Sequence, residues 1–412
     1  PFLMSIVSNT DHWMFVGSNS AFSAGRCDPD HALFPYQTVD KLLDRASAGG
    51  VTTILRVERG NRTELWEPWQ PERCRHEVTR NVYKHVWNTS VTFEEINHTL
   101  GLALRWTLSA SERHGFVRRC TLTNLDGNDI AVTCLDGWRR LLPPGVAQET
   151  FSRYSYLAAA YMRHELLPAE ALGIYTLNSG ITDRAEPSES LRVSVAWSLG
   201  LDAPEILLSE RQVEAFRRGE KISTENEVRG AFGAHLSVSS FQLAAGGSRE
   251  WFTVADYGLD HSALIALKSE FAAPEKLKAA LLAGIEENKL GLRARIAAAD
   301  GLQDTADRAA SVHHFANVMF NCMRGGSLED SYFAPSADFA KFLRTRNRAV
   351  HARHADWLAQ LPPRIRFDEL AKSAAGRNDA QLTRLSREYL PLSFSRRHGD
   401  PSRPWNRFSI RV

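Results

Sequence analysis

The densest run of hydrogen-bonding and reactive side chains lies in the first forty positions. Asp11-His12-Trp13, Ser18-Asn19-Ser20, Gly25-Arg26-Cys27-Asp28 and Phe34-Pro35-Tyr36 mix aromatic rings with imidazole, amide, guanidinium and carboxylate groups. A sugar is held by such a mixture, with flat rings under its C–H surface and fixed polar groups on its hydroxyls. The competing expectation is an N-terminal strand pair with turns and a buried histidine. Asp28, Asp30, Asp40 and Asp44 add carboxylates. Glycosidic cleavage needs two carboxyl groups flanking the bond. Spacing alone pairs no two of these, and acidic residues beside Pro and Gly are mostly solvated turn residues.

Other clusters read as architecture. Asp136-Gly137-Trp138-Arg139-Arg140, ahead of Pro143-Pro144-Gly145, has the composition of a hairpin end. Residues 182–190 form a polar loop whose Arg184, Glu186 and Glu189 are suited to ion pairs. His313-His314 lies on an apolar helix with no further ligand on a neighbouring turn, so a metal site is not expected. His351 and His354 stand i,i+3 among Arg344, Arg346, Arg348 and Arg353, a charged helix surface. The sequence lacks a phosphate-binding P-loop, a GxGxxG after a strand, a GxSxG and an HExxH. Nucleotide-driven, lipase-type and zincin chemistry therefore have no support.

The positioning elements come in two compositions. Up to about residue 263 the chain reads as β structure, with strands expected at 51–57, 78–87, 90–96, 100–108, 116–123, 130–135, 172–177, 191–197, 235–241 and 250–255. Leu102, Leu104, Trp106 and Leu108 alternate along one face, and Asn124-Leu125-Asp126-Gly127-Asn128 is a hairpin signal. Helix-like content interrupts at 151–167. From Pro274, Leu277, Leu281, Leu282, Ile285, Leu290, Leu292 and Ile296 recur at helical spacing. Thr305 is the expected cap of a next helix that Gly325-Gly326 ends. Ser336 is the expected cap of a third, carrying Phe339, Leu343, Val350 and Trp357, and Pro391 is expected to stop the last. No repeat of propeller type occurs.

With 412 residues the chain accommodates two or three domains, and 50 basic against 48 acidic residues give a formal charge of +2. That balance supplies no field favouring nucleic acid or membrane. Five scattered cysteines without a CxxC suggest reduced, buried thiols and a cytoplasmic location. The opening Pro-Phe-Leu-Met and the strand-like close at 408–412 read as a fragment of a longer frame.

Four stretches carry a resemblance to cellobiose phosphorylase-like proteins, the inverting glycoside phosphorylases and their large relatives. They are residues 8–42 (SNTDHWMFVGSNSAFSAGRCDPDHALFPYQTVDKL), 112–137 (ERHGFVRRCTLTNLDGNDIAVTCLDG), 313–326 (HHFANVMFNCMRGG) and 396–410 (RRHGDPSRPWNRFSI). The resemblance implies a multi-domain β-then-α chain. Its parts are a galactose mutarotase-like β-supersandwich over 1–268, a helical linker over 269–302 and the start of an (α/α)6 barrel over 303–412. It implies part of a glycoside phosphorylase-like enzyme acting on β-linked glucosides or related oligosaccharides. The general-acid Asp would lie beyond the chain end, so no catalytic residue is assigned. No cofactor is expected, and inorganic phosphate is the co-substrate if the enzyme is a phosphorylase. His12, Trp13, Asn19, Arg26 and Tyr36 on the β side, and Arg324, Trp405, Asn406 and Arg407 on the helical side, are the expected substrate-binding residues. The expected partners are an oligosaccharide and a second copy docked through the β domain, with no nucleic acid and no membrane. A hydrolase on the same scaffold, a non-catalytic carbohydrate-binding or structural module, and mutarotase-type epimerisation by a His and a Glu sharing a cleft are the alternatives. For the fragment alone, Leu343, Trp357 and Leu385 are expected to face absent helices and leave the C-terminal third weakly stable.

Overall fold

The computed structural model describes residues 2–44, 50–181, 191–298, 301–302, 305–323 and 333–396. The chain divides into two compact units. One comprises residues 1–6 and 12–288, the other residues 7–11 and those from 289 onward.

The first unit opens with a four-stranded sheet, β1 (Leu3–Val7), β2 (His12–Gly17), β3 (Phe22–Arg26) and β4 (Ala32–Phe34), followed by helix α1 (Val39–Asp44). Next come β5 (Gly50–Arg59), β6 (Arg62–Trp66), β7 (Val78–Lys84), β8 (Val91–Asn97), β9 (Leu102–Ser111), β10 (Gly115–Asn124) and β11 (Ile130–Leu141). Helix α2 (Gln148–Ala160) precedes β12 (Met162–Leu167), β13 (Leu172–Leu177), β14 (Val193–Leu199) and β15 (Glu205–Leu207). Helix α3 (Val213–Arg218) then leads to β16 (Glu227–Arg229), β17 (Gly233–Leu243) and β18 (Ser248–Leu259). Nine strands make one sheet, ordered β16-β12-β13-β14-β18-β10-β9-β8-β7, and five make another, ordered β15-β17-β11-β5-β6. Their inner faces share one apolar core with the first sheet, built around Trp66, Phe93, Trp106, Phe116, Trp138 and Trp251. This is a β-sandwich, as the period-2 pattern predicts.

The outer face of the large sheet is partly covered. Leu267 of α4 (His261–Glu270) and Leu277 and Leu281 of α5 (Pro274–Ala298) pack on Val117, Trp197, Phe252 and Val254. Asn288 of α5 also donates to the carbonyl of Ala110, near the end of β9, at 3.1 Å.

In the second unit, α6 (Arg308–Met323) precedes a short strand β19 (Phe333–Pro335), then α7 (Ser336–Arg346), α8 (Arg348–Arg353) and α9 (Ala355–Gln360). Strand β20 (Arg364–Arg366) pairs back on β19, and α10 (Phe367–Ala375) and α11 (Ala380–Arg396) follow. Tyr389 is the hub: its ring meets Phe339 at 5.1 Å, Phe342 at 5.3 Å and Phe367 at 6.4 Å, and its hydroxyl donates to Asp338 at 2.9 Å.

Several local expectations are corrected. Residues 162–167 form a strand, because pairing with β13 and β16 on both sides overrides helical propensity. The segment 136–140 is mid-strand, with Asp136 paired to Ser237 and Thr53, not a hairpin end. Asp307 rather than Thr305 turns its carboxylate to an N–H of the α6 start, at 2.9 Å from Ala309 N. The Ser336 hydroxyl donates to the Pro362 carbonyl and caps nothing, and the expected third helix is broken at extended Asn347. Helix α11 runs through Pro391, whose missing N–H weakens a helix without necessarily ending it. Leu343, Trp357 and Leu385 are buried inside the helical unit, so they do not face absent neighbours. Among the described residues no helix is long and apolar enough to cross a membrane.

Candidate functional site

The hairpin β2–β3 sets His12 opposite Arg26 and Trp13 opposite Gly25. Trp13 is buried. Its Nε1 donates to the carbonyls of Asp28 at 3.2 Å and Arg26 at 3.4 Å, and its ring meets Tyr36 at 5.7 Å. His12 is fully enclosed, edge-on to Phe116 at 4.9 Å. Burial, helped by the Arg26 charge, holds its pKa well below the ordinary 6.5. Arg26 forks Asp256, with Nε to Oδ1 at 2.9 Å and Nη2 to Oδ2 at 3.1 Å. Asn19 lies at the other end of the hairpin, donating to the carbonyls of Leu42 and Leu43 at 3.2 and 2.9 Å. The fold therefore gathers His12, Trp13, Arg26 and Tyr36 and leaves Asn19 apart. Arg324, Trp405, Asn406 and Arg407 lie outside the described residues. Of the candidate carboxylates, Asp28 accepts the N–H groups of Asp30 and His31 at 2.9 and 3.2 Å, and Asp30 accepts that of Gln148 at 2.9 Å. Both serve turns.

A second constellation was not singled out by sequence. On the outer face of β7–β10 the pairing aligns Tyr83, Thr92, Thr107 and Arg119 in one row, ending at Phe252 of β18. The next row reads Asn81, Glu94, Arg105, Thr121 and Glu250. Strands lie about 4.8 Å apart, so each row spans roughly 19 Å. Between the rows is an open groove of about 500 Å³ lined by Tyr83, Thr92, Arg105, Thr107, Arg119 and Thr121.

The charges in the groove are pre-positioned. Glu94 accepts from Asn81 at 3.0 Å, from the Tyr83 hydroxyl at 2.9 Å and from Arg105 Nε at 3.1 Å. Its partial burial opposes ionisation, but these three bonds outweigh it and hold its pKa below the ordinary value. Arg119 donates to Glu250 at 2.6 Å, and Lys278 reaches the same carboxylate at 3.2 Å. Arg105 also lies over the Tyr83 ring at 5.6 Å. Paired guanidinium and carboxylate groups offer fixed donors and acceptors side by side, which suits the vicinal hydroxyls of a neutral sugar. Both carboxylates are engaged as anions and neither is held protonated, so the arrangement suits binding and neither carboxylate is poised as a general acid.

Ionisable groups inside the sandwich are sealed. Asp136 accepts from Arg118 at 2.5 Å, Thr53 at 2.6 Å, Trp251 Nε1 at 2.8 Å and Thr253 at 3.2 Å, tying strands of both sheets together. His164 donates from Nε2 to the Ala231 carbonyl at 2.8 Å, and neither ring nitrogen of His235 has a partner among the described residues. Burial lowers their pKa values to about 4 and about 3. Both histidines are wholly inaccessible, so the His-and-Glu cleft that mutarotase-type chemistry requires is not formed by them. Among the described residues no group of three or more His, Cys, Asp or Glu is placed to hold a metal ion.

Comparison with known proteins adds a class. Residues 328–391 match the family model for the glycoside hydrolase family 149 insertion domain 1. No curated protein matches the chain. Among solved structures, a bacterial glucoamylase complexed with acarbose aligns over 95% of this chain and 56% of its own, at 11% identity and a TM-score of 0.44. A polysaccharide lyase aligns over 60% of this chain and 32% of its own, at 10% identity and a TM-score of 0.35. The chain thus spans little more than half of the first and about a third of the second. In class, residues 328–391 are similar to a domain found in a family of glycoside hydrolases. The particular likeness is to the family 149 insertion domain over residues 328–391, and it is not specific to cellobiose phosphorylases.

Proposed function

We propose that this chain is part of a carbohydrate-active enzyme of the glycoside hydrolase or phosphorylase kind, and that the groove on β7–β10 holds a neutral saccharide. The observation that carries the enzyme class is the match of residues 328–391 to an insertion domain of a glycoside hydrolase family. In this reading the β-sandwich is a galactose mutarotase-like supersandwich, α6 is an early helix of an (α/α)6 barrel, and the module from β19 to α10 is inserted into that barrel. The finer reading is an inverting phosphorylase acting on β-linked glucosides, cytoplasmic, dimeric through the β domain and free of cofactors. One carboxylic acid would protonate the glycosidic oxygen while phosphate attacks the opposite face of the sugar. The described residues assign no such acid.

The groove favours binding over catalysis within the first unit, because its carboxylates are both ion-paired. Neutral β-glucan oligosaccharides titrated into the chain, followed by tryptophan fluorescence or calorimetry, test it. Arg105→Ala and Tyr83→Ala should each weaken binding about tenfold by removing one charge-assisted hydrogen-bond array. Wild-type affinity in both variants excludes the groove as the binding face. Dependence of turnover on inorganic phosphate in the enzyme that contains this chain separates phosphorolysis from hydrolysis.

A further inference from the structure

Charge is unevenly divided along this chain. Residues 333–389 carry eleven Lys or Arg against six Asp or Glu, in a protein that totals 50 against 48. Four of these cations meet at one corner. Lys341, Arg344 and Arg346 of α7 and Arg348 of α8 are all exposed, and none has a carboxylate within 4.0 Å among the described residues. The acidic residue of α7, Asp338, is turned to Tyr389. Three other cations of the module are engaged, Arg353 with Asp379 at 2.7 Å, Arg366 with Asp368 at 3.0 Å and Arg384 with Glu388 at 3.1 Å, while Lys372, Arg377 and Arg387 are exposed elsewhere on it.

The corner is held by structure rather than by charge. Asn347 is extended and its side chain caps α8, accepting from Val350 N at 3.1 Å. That break brings the end of α7 and the start of α8 together, with Phe339, Phe342, Leu343 and Val350 buried beneath. Arg344, Arg346 and Arg348 therefore sit within five residues on a rigid support; Arg346 lies over the Phe342 ring at 5.8 Å, and no carboxylate among the described residues neutralises the three charges.

We infer that the α7–α8 corner is a docking surface for an acidic polysaccharide, one bearing a carboxylate or sulfate on its sugar units. Planar guanidinium groups match such anions bidentately. The aromatic residues of the corner, Phe339, Phe342 and Trp357, are buried, so it offers no ring for stacking bases, the feature by which single-stranded nucleic acid is held. The inference is independent of the neutral groove and uses different residues.

The test titrates the whole chain with polygalacturonate, with dextran of matched length and with a 20-base-pair DNA duplex, at 50 and 200 mM salt. Polygalacturonate should bind, and its affinity should fall roughly tenfold or more over that salt range because about three cations release counterions. The triple variant Lys341→Gln, Arg344→Gln, Arg348→Gln should lose about tenfold at low salt while its melting temperature and its β-glucan binding are unchanged. Arg62→Gln, an exposed cation of β6, should have no effect. Unchanged polygalacturonate binding in the triple variant, salt-independent binding, or tighter binding of the duplex than of polygalacturonate overturns the inference. Loss of β-glucan binding in the groove variants alone leaves it standing and bears only on the groove.

Discussion

Replacing Asp136 by Ala removes the anion on which the centre of the sandwich converges. Arg118 is then left as a buried cation with 1% of its side chain exposed, and Thr53, Trp251 and Thr253 each lose an acceptor. Breaking a buried pair from one side typically costs 3–5 kcal/mol, since the surviving charge keeps its desolvation cost without its partner. The orphaned neutral donors add to this, though not additively. A loss of about 4 kcal/mol is expected for Asp136→Ala. With an m-value of about 2–3 kcal/mol/M, the urea midpoint falls by roughly 1.5 M. Tryptophan emission reads the transition directly, because Trp106, Trp138 and Trp251 lie in the same core. The double variant Arg118→Met, Asp136→Leu removes both charges and should recover at least half of the loss. A single variant losing under about 1 kcal/mol, or a double variant as unstable as the sum of the singles, would refute the reasoning that the pair is costly to break but not to replace.

Two further perturbations bear on the same interior. His164 and His235 have folded pKa values of about 4 and about 3, below the unfolded value near 6.5. Both states are neutral above pH 6.5, so stability is full there. As pH falls below 6.5 the unfolded chain binds protons first, and each histidine removes about 1.4 kcal/mol per pH unit. Urea midpoints at pH 7 and pH 5 should differ less in His235→Leu than in wild type, and equal differences count against this account. At Gly137, an added Cβ would sit 1.9 Å from the carbonyl oxygen of His235 on the neighbouring strand. Gly137→Ala should therefore force β11 and β17 apart and destabilise by about 3 kcal/mol or more, read by the same denaturation assay.

The strands were legible because they bury one face. Leu102, Leu104, Trp106 and Leu108 alternate inward along β9, and that alternation is visible in sequence. The groove residues Arg105 and Thr107 occupy the other face of the same strand, where alternation predicts only that they are polar. What makes them a site is register: Arg105 opposite Glu94 and Thr121, Thr107 opposite Thr92 and Arg119. Cross-strand partners from four separate strands carry no local signal. The N-terminal cluster shows the converse. Its composition suggested a sugar site, and the fold does unite His12, Trp13, Arg26 and Tyr36, but by turning His12 and Trp13 inward and committing Arg26 to Asp256. Composition reports which groups are near one another and leaves open whether solvent reaches them. Asp136 was misplaced for a related reason, since an Asp-Gly pair is a turn signal unless buried partners such as Arg118 and Trp251 hold it mid-strand.

The abundance of arginine, uninformative as a total, separates into two uses once partners are known. In the first unit Arg26, Arg105, Arg118, Arg119 and Arg217 are each bound to a carboxylate: Asp256, Glu94, Asp136, Glu250 and Glu67. Such guanidinium groups fix geometry, and where they also face solvent, as Arg105 and Arg119 do, they leave a neutral surface rich in directed hydrogen bonds. At the α7–α8 corner the same side chain stands without an anion among the described residues, and what it presents is net charge. A neutral ligand is selected by the first arrangement because binding it displaces water without breaking an ion pair. An anionic ligand is selected by the second because it supplies the missing partner. The two surfaces should therefore differ in salt dependence, weak for the groove and steep for the corner, whatever the saccharide each proves to hold.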